Sequence, residues 1–167
     1  MGRVIAPLVA LAAAGWVALL ISAPILPGSI SAVLYGLGSF ICHQIPERSF
    51  HIAGFQLPVC ARCLGLYAGA ACGIGCGVWP ARAVQAVRAF DAPTTRWLAG
   101  VAAAPTVITL VLEWAGLWDP SNVTRAIAGV PFGAVIGLVV MSALPTLHYG
   151  ECVPPRPTVS KPPPPPI

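Results

Sequence analysis

The chain has 167 residues, 57% hydrophobic and 8% charged, with nine Lys and Arg against five Asp and Glu and a mean hydropathy of +0.82. A soluble domain normally carries about 25% charged residues, so this composition argues against a cytosolic enzyme, a secreted disulfide scaffold and a disordered chain. Seventeen Gly and nineteen Pro follow no Gly-x-y period, which removes collagen as well. The class is an integral membrane protein.

Taken in chain order, residues 4–25 are uncharged and long enough to cross a hydrocarbon core of roughly 30 Å. Arg3 gives this stretch a signal-like start, but the Pro24-Ile25-Leu26-Pro27 exit is no small-x-small cleavage site, so the segment is expected to stay as a span. Ile30–Ile41 is apolar but too short to cross, which predicts an interfacial or re-entrant helix weakened by Gly36 and Gly38. A polar connection follows. A second span is predicted over 60–79 and a third over 95–112, with Thr94 or Thr95 as cap and Trp97 as interface anchor. Between them Val84, Val87 and Phe90 share one side of an Arg-bearing stretch, the pattern of a short helix lying on lipid. The fourth span is predicted over 126–147, starting at Ser121 or Asn122. From Pro154 the chain has no means of building a core and should be extended. The expected fold is therefore all-α: a membrane bundle of four transmembrane helices plus one short helix over residues 1–150, and a disordered Pro-rich tail over 151–167.

Charge sets the expected orientation. Arg3, Arg82, Arg88, Arg96, Arg156 and Lys161 fall on one side of a four-span bundle, which should be cytoplasmic with both termini. Arg48, Arg62 and Arg125 fall on the other, tempered by Glu47, Glu113 and Asp119. The protein is expected in the cell membrane, with the bilayer as its first partner. Three arginines between spans are too few to propose nucleic-acid binding.

Two helices carry glycine every fourth residue: Gly65, Gly69, Gly73 and Gly77, then Gly129, Gly133 and Gly137. Residues at i and i+4 share a helix face, so each row predicts a stripe for close helix packing. Extending the second row outward by four residues reaches Arg125, at the mouth of the packed interface.

Chemistry concentrates in Cys42-His43-Gln44, Arg48-Ser49 and Pro58-Val59-Cys60-Ala61-Arg62-Cys63. Cys60 and Cys63 can grip one ion from a single turn, and Cys42 or His43 can close a tetrahedral set suited to zinc. The same thiols also suit a dithiol–disulfide cycle, with Arg62 favouring a thiolate, or a plain structural bridge. Arg48, Arg62, Glu113 and Arg125 share that membrane face. They are candidates for holding an anionic or lipid-like ligand, or for pairing among themselves. Asp119 is a further pairing partner. Cys72 and Cys76 read as packing residues, His51 as a reserve ligand, and His148 and Cys152 as separate from the cluster. Trp79, Trp114 and Trp118 join Trp97 as interfacial residues.

The string Cys42-His43-Gln44, Arg48-Ser49 and Cys60-Ala61-Arg62-Cys63-Leu64-Gly65 resembles the signature of an uncharacterised family of small polytopic membrane proteins of bacteria and archaea. That pattern is Cys-His-Gln, Arg-Ser and Cys-x-Arg-Cys-x-Gly, with Leu64 here where Thr is common. Asn122, Arg125 and Gly129 are similar to the family's second polar patch. The resemblance implies a multi-helix membrane fold over about residues 30–140 and no settled activity. No phosphate loop, dinucleotide fingerprint, His-Glu-x-x-His or Gly-x-Ser-x-Gly motif is present. The reading is a zinc-binding membrane protein with an outward-facing Cys/His/Arg site. A membrane thiol–disulfide oxidoreductase using Cys60 and Cys63, and a metal-dependent membrane enzyme acting on a lipid-like or phosphate-bearing substrate, stand as alternatives.

Overall fold

The computed structural model describes residues 2–78 and 91–144. The expectations for the Arg82–Phe90 stretch, Trp79, His148, Cys152 and the Pro-rich tail lie outside these residues. Helix α1, Gly2–Ser22, runs into a 3-10 turn at Ala23–Ile25. Helix α2, Gly28–Ile41, leads to a second 3-10 turn at Pro46–Arg48 and a small hairpin of β1, His51–Ile52, and β2, Phe55–Gln56. Helices α3, Ala61–Val78, α4, Ala92–Trp114, and α5, Asn122–Ala143, complete the described fold.

Among the described residues the bundle is all-α apart from the hairpin, and three stretches are long and apolar enough to cross a membrane: Ile5–Ile25, Ala92–Trp114 and Asn122–Ala143. The predicted second span falls short by that measure. The shortfall is one of length: only Ala61–Cys76 counts, and it ranks with α2 among the shorter apolar helices. The chain is thus a multi-pass membrane protein whose described residues hold three qualifying spans and two shorter apolar helices.

Helix directions follow from the contacts. Ala6, early in α1, packs with Ile74, late in α3, and with Met141, while Leu20 at the other end of α1 packs with Cys42 and Val59. Helix α1 therefore runs antiparallel to α3. Trp16 and Tyr67 meet edge to face between them, ring centroids 6.3 Å apart. Helices α3 and α5 form the most extensive pair and run parallel. A Cβ on Gly65, Gly69 or Gly73 would overlap the backbone of Ala126, Val130 or Ala134 in turn. From the other side, a Cβ on Gly129, Gly133 or Gly137 would overlap backbone of Arg62, Leu66 or Ala70. Two interleaved glycine stripes let the backbones touch, the arrangement small residues permit where apolar lipid offers no hydrophobic drive for helix association. The surroundings of Gly77 lie outside the described residues. Helix α4 packs on α5 in the opposite direction, and Thr106 Oγ1 donates to the Ala128 carbonyl at 2.7 Å.

Large apolar side chains that stay exposed, such as Leu11, Val33, Phe40, Val101 and Ile127, cover the outer faces. A water-soluble monomer would not tolerate so broad an apolar surface. The first residue of α4 comes earlier than the Thr94 or Thr95 cap implied. Asp91 is the N-cap, its carboxylate accepting from the Thr94 N–H at 3.2 Å, and Pro93 sits in the first turn, where its missing N–H costs nothing. Helix α5 starts as expected at a Ser121 cap, which accepts from the Thr124 N–H at 3.2 Å.

Candidate functional site

The C-terminus of α1, the N-termini of α3 and α5 and the C-terminus of α4 meet at one end of the bundle, and the conspicuous residues gather there. Cys42 ends α2 in extended conformation. Cys60 immediately precedes α3, and Cys63 lies in its first turn, so a spacing of three places both on one helix face. The sulfurs of Cys42, Cys60 and Cys63 lie within 4.8 Å of one another, and all three are free thiols. The Cys60 N–H donates to Cys42 Sγ at 3.1 Å. Hydrogen bonds from Cys60 and then Cys63 hold the Cys42 thiol far below its ordinary range. The partner in that bond is pushed the other way: Cys60 is raised, first by Cys42.

Local geometry explains how residues so far apart in sequence converge. Gln44 occupies the left-handed region at φ 51°, a conformation that is costly for a side chain with a Cβ. Its amide offsets that cost by donating to the carbonyls of Tyr35 at 2.8 Å and Pro58 at 2.9 Å, and Gln56 Nε2 donates back to the Gln44 carbonyl at 3.3 Å. The Tyr35 hydroxyl bonds the Gln56 carbonyl. Gly38, read in sequence as a weak point of the short helix, is a packing position, because a Cβ there would overlap the Pro58 carbonyl. The hairpin turns through Ala53 and Gly54, both at positive φ (52° and 85°), the two-residue geometry that matches strand twist. These bonds fold the 42–60 connection back on itself and deliver Cys42 to Cys60.

Beside the thiols stands a charge cluster. Glu113 sits near the end of α4, its side chain only 5% exposed, and three guanidinium groups converge on it. Arg48 Nε lies 2.8 Å and Arg125 Nη2 2.9 Å from Oε1, and Arg62 Nη2 lies 2.5 Å from Oε2. Arg125 also reaches Asp119 at 2.6 Å, although that carboxylate is 88% exposed. Just past Glu113, α4 closes with Gly116 at φ 67°. The Gly116 N–H bonds the Glu113 carbonyl and the Leu117 N–H bonds that of Leu112, a Schellman turn that steers the chain to Asp119. Asn122 accepts from Arg125 Nη1 at 3.0 Å and donates to the buried Ser49 carbonyl at 2.9 Å, fastening the first connection to α5. The Nε atoms of Arg62 and Arg125 are buried and have no hydrogen-bond partner among the described residues.

Two cavities open on this constellation. The inner one, about 140 Å³, is lined by Cys42, Cys60 and Cys63 with His43, and by Arg48, Arg62 and Arg125. The outer, about 400 Å³, shares Arg48 and Arg125 with it and adds Glu47, Glu113 and Asp119.

Of the residues singled out in the sequence, Cys42, Cys60 and Cys63 come together. His43 lines the inner cavity but is exposed, and its nitrogens are not part of the close sulfur set. Arg48, Arg62, Glu113 and Arg125 form one paired cluster. His51, on the hairpin, is exposed, and Cys72 and Cys76, expected as packing residues, are instead exposed along α3, away from the Cys42 cluster. Sequence reasoning passed over the structural work of Asn122, Ser49 and Gln44, whose most distant partners lie 14 to 73 residues away in sequence. The one available hint was that Asn122 stands three residues before Arg125, one helical turn.

Residues 42–139 match the family model described as "Predicted membrane protein (DUF2085)". The chain is 33% identical over 112 residues to uncharacterized protein MJ1492 of Methanocaldococcus jannaschii, covering 67% of this chain and 69% of that protein. It is 35% identical over 108 residues to an uncharacterized protein of Methanothermobacter thermautotrophicus, covering 62% of this chain and 85% of that one. No solved structure matches.

Proposed function

The chain belongs to the DUF2085 family of membrane proteins, and from that premise we propose that it binds one Zn²⁺ through Cys42, Cys60 and Cys63. The observation that carries this reading is the mutual approach of three buried or half-buried thiols within 4.8 Å. Tetrahedral zinc with Zn–S bonds of about 2.3 Å sets its sulfurs about 3.8 Å apart, so closure around an ion needs only a small contraction. The Cys60 N–H on Cys42 Sγ and the start of α3 beneath Cys60 both favour thiolate. Three thiolates leave a fourth position that opens on the inner cavity, where His43 or an outside ligand closes the tetrahedron. The residue chemistry supports zinc over magnesium or calcium, which take oxygen ligands.

The same reading has α3 as a fourth crossing, held in the bundle by its glycine contacts with α5 rather than by hydropathy, with α2 at the interface and the site facing outward. Residues 1–150 then form one membrane domain with a Pro-rich tail, and both termini are cytoplasmic in the cell membrane, as the arginine bias suggests.

Metal analysis of full-length protein, purified in detergent without added metal or chelator, tests the proposal. About one Zn²⁺ per chain, lost in a monodisperse Cys63→Ser variant, is the expected result. Substoichiometric metal in both, with Cys60 and Cys63 cycling between dithiol and disulfide, would replace it with the oxidoreductase reading.

A further inference from the structure

The charges around the inner cavity balance only through a group at its solvated rim. Three guanidinium groups are gathered about one buried carboxylate, Glu113, and among the described residues the only other acid they touch, Asp119, is 88% exposed. With zinc in place, which rests on the reading above, three thiolates and the ion carry a single negative charge. One positive charge is then left to an exposed carboxylate at the rim. Charge near a membrane bundle's interior is costly unless compensated.

The arrangement also has a direction. Among the acids of the cluster, Glu113, Asp119 and Glu47 line the outer cavity, whereas the inner cavity is lined by the three arginines and by no carboxylate. Glu113 therefore gathers the guanidinium groups from one side and leaves another side turned to the thiols. Arg62 and Arg125 each retain a buried Nε–H without an acceptor, so their donor capacity is not used up by the ion pairs. The inner cavity, about 140 Å³, holds the volume of roughly four or five waters. That suits one tetrahedral oxyanion and excludes a whole lipid or nucleotide.

We propose that the inner cavity binds a terminal phosphate group between Arg48, Arg62 and Arg125, on the side of those arginines opposite Glu113. Guanidinium forks pair bidentately with phosphate as they do with carboxylate, and phosphate offers enough acceptor oxygens for three of them at once. Arg48, about one third exposed, stands at the junction of the two cavities and is the group an incoming ligand meets first. Glu113 is a positioning residue, holding three like charges together before the anion arrives. The phosphate belongs either to inorganic phosphate or to a lipid headgroup such as that of phosphatidic acid, since both present the same oxygens.

The test is calorimetric titration of the full-length protein in neutral detergent with inorganic phosphate, and with phosphatidic acid in mixed micelles. Acetate serves as the control anion, and metal content is measured on every sample. Arg48→Gln is the informative variant, because a partly exposed side chain can change without unfolding the bundle. Saturable phosphate binding that weakens about tenfold or more in Arg48→Gln is expected. Binding of phosphatidic acid alone, with the same loss in Arg48→Gln, supports the proposal and assigns the source to lipid. Competition between the two ligands assigns both to one site. No binding of either, equal binding of acetate, or an unchanged affinity in Arg48→Gln overturns it. The two readings fail separately. Zinc present without phosphate binding sinks only the anion site, and phosphate bound by metal-free Cys63→Ser protein shows that the arginines suffice.

Discussion

The carbonyl of Arg62 lies 2.6 Å from where a Cβ on Gly129 would stand. The packing stripe and the candidate site are thus one piece of structure: the missing side chain on α5 leaves room for the backbone of the residue that sits between Cys60 and Cys63. Gly129→Ala is expected to push the two helices apart and to destabilise the protein by about 1–3 kcal/mol, the usual cost of overpacking, with metal content falling in parallel. Gly75→Ala is the opposite case. A Cβ at Gly75 meets nothing within 4 Å, and alanine is the better helix former by about 1 kcal/mol, so that variant should be neutral or more stable. Thermal unfolding in detergent measures both; equal destabilisation would show that the glycine stripes do not govern packing.

Glu113 and Asp119 both touch Arg125, but their surroundings differ. Glu113→Gln leaves three guanidinium groups without their buried counter-ion, and removal of one partner from a buried ion pair costs about 3–5 kcal/mol. Asp119→Asn changes an exposed pair worth about 0–1 kcal/mol. The expected order of melting temperatures is wild type, then Asp119→Asn close behind, then Glu113→Gln far below. A reversal would mean that the cluster is held from its solvated rim.

The hairpin carries a local cost that substitution can remove. Ala53 adopts φ 52° at the first of two turn positions, where asparagine is preferred and alanine is not. Ala53→Asn should raise stability by about 0.5–1 kcal/mol, seen as a higher melting temperature with metal content unchanged. A lower melting temperature would count against this turn geometry.

Orientation has a direct readout. Phe55, 64% exposed at the hairpin, belongs to the end of the bundle that holds the thiols. An impermeant thiol reagent on intact cells should label a Phe55→Cys variant and leave Cys152 untouched. Labelling of Cys152 from outside, with Phe55→Cys protected, would invert the topology.

Much of the architecture is written in periodicity. Uncharged runs of sufficient length mark α1, α4 and α5, and the fourfold glycine spacing marks the contact faces of α3 and α5, because a helix repeats its face nearly every four residues whatever surrounds it. The Cys60/Cys63 pair is legible for the same reason, as two thiols one turn apart. Boundaries that depend on a single competing cap, such as Asp91 over Thr94, were not.

What the chain alone determined is therefore the membrane class, the main helices and the identity of the reactive residues. What only the tertiary structure decided is how those residues are shared out. Cys42 joins Cys60 because Gln44, Tyr35, Gln56 and Pro58 exchange hydrogen bonds around a fold-back that has no repeat to announce it. Glu113, rather than Glu47, gathers the three arginines because α4 and α5 are antiparallel and a Schellman turn joins the end of one toward the start of the other. Local sequence governs torsions and faces over one or two turns. Which distant charges meet is settled by helix direction and packing, and these are fixed only when all the helices have found their partners.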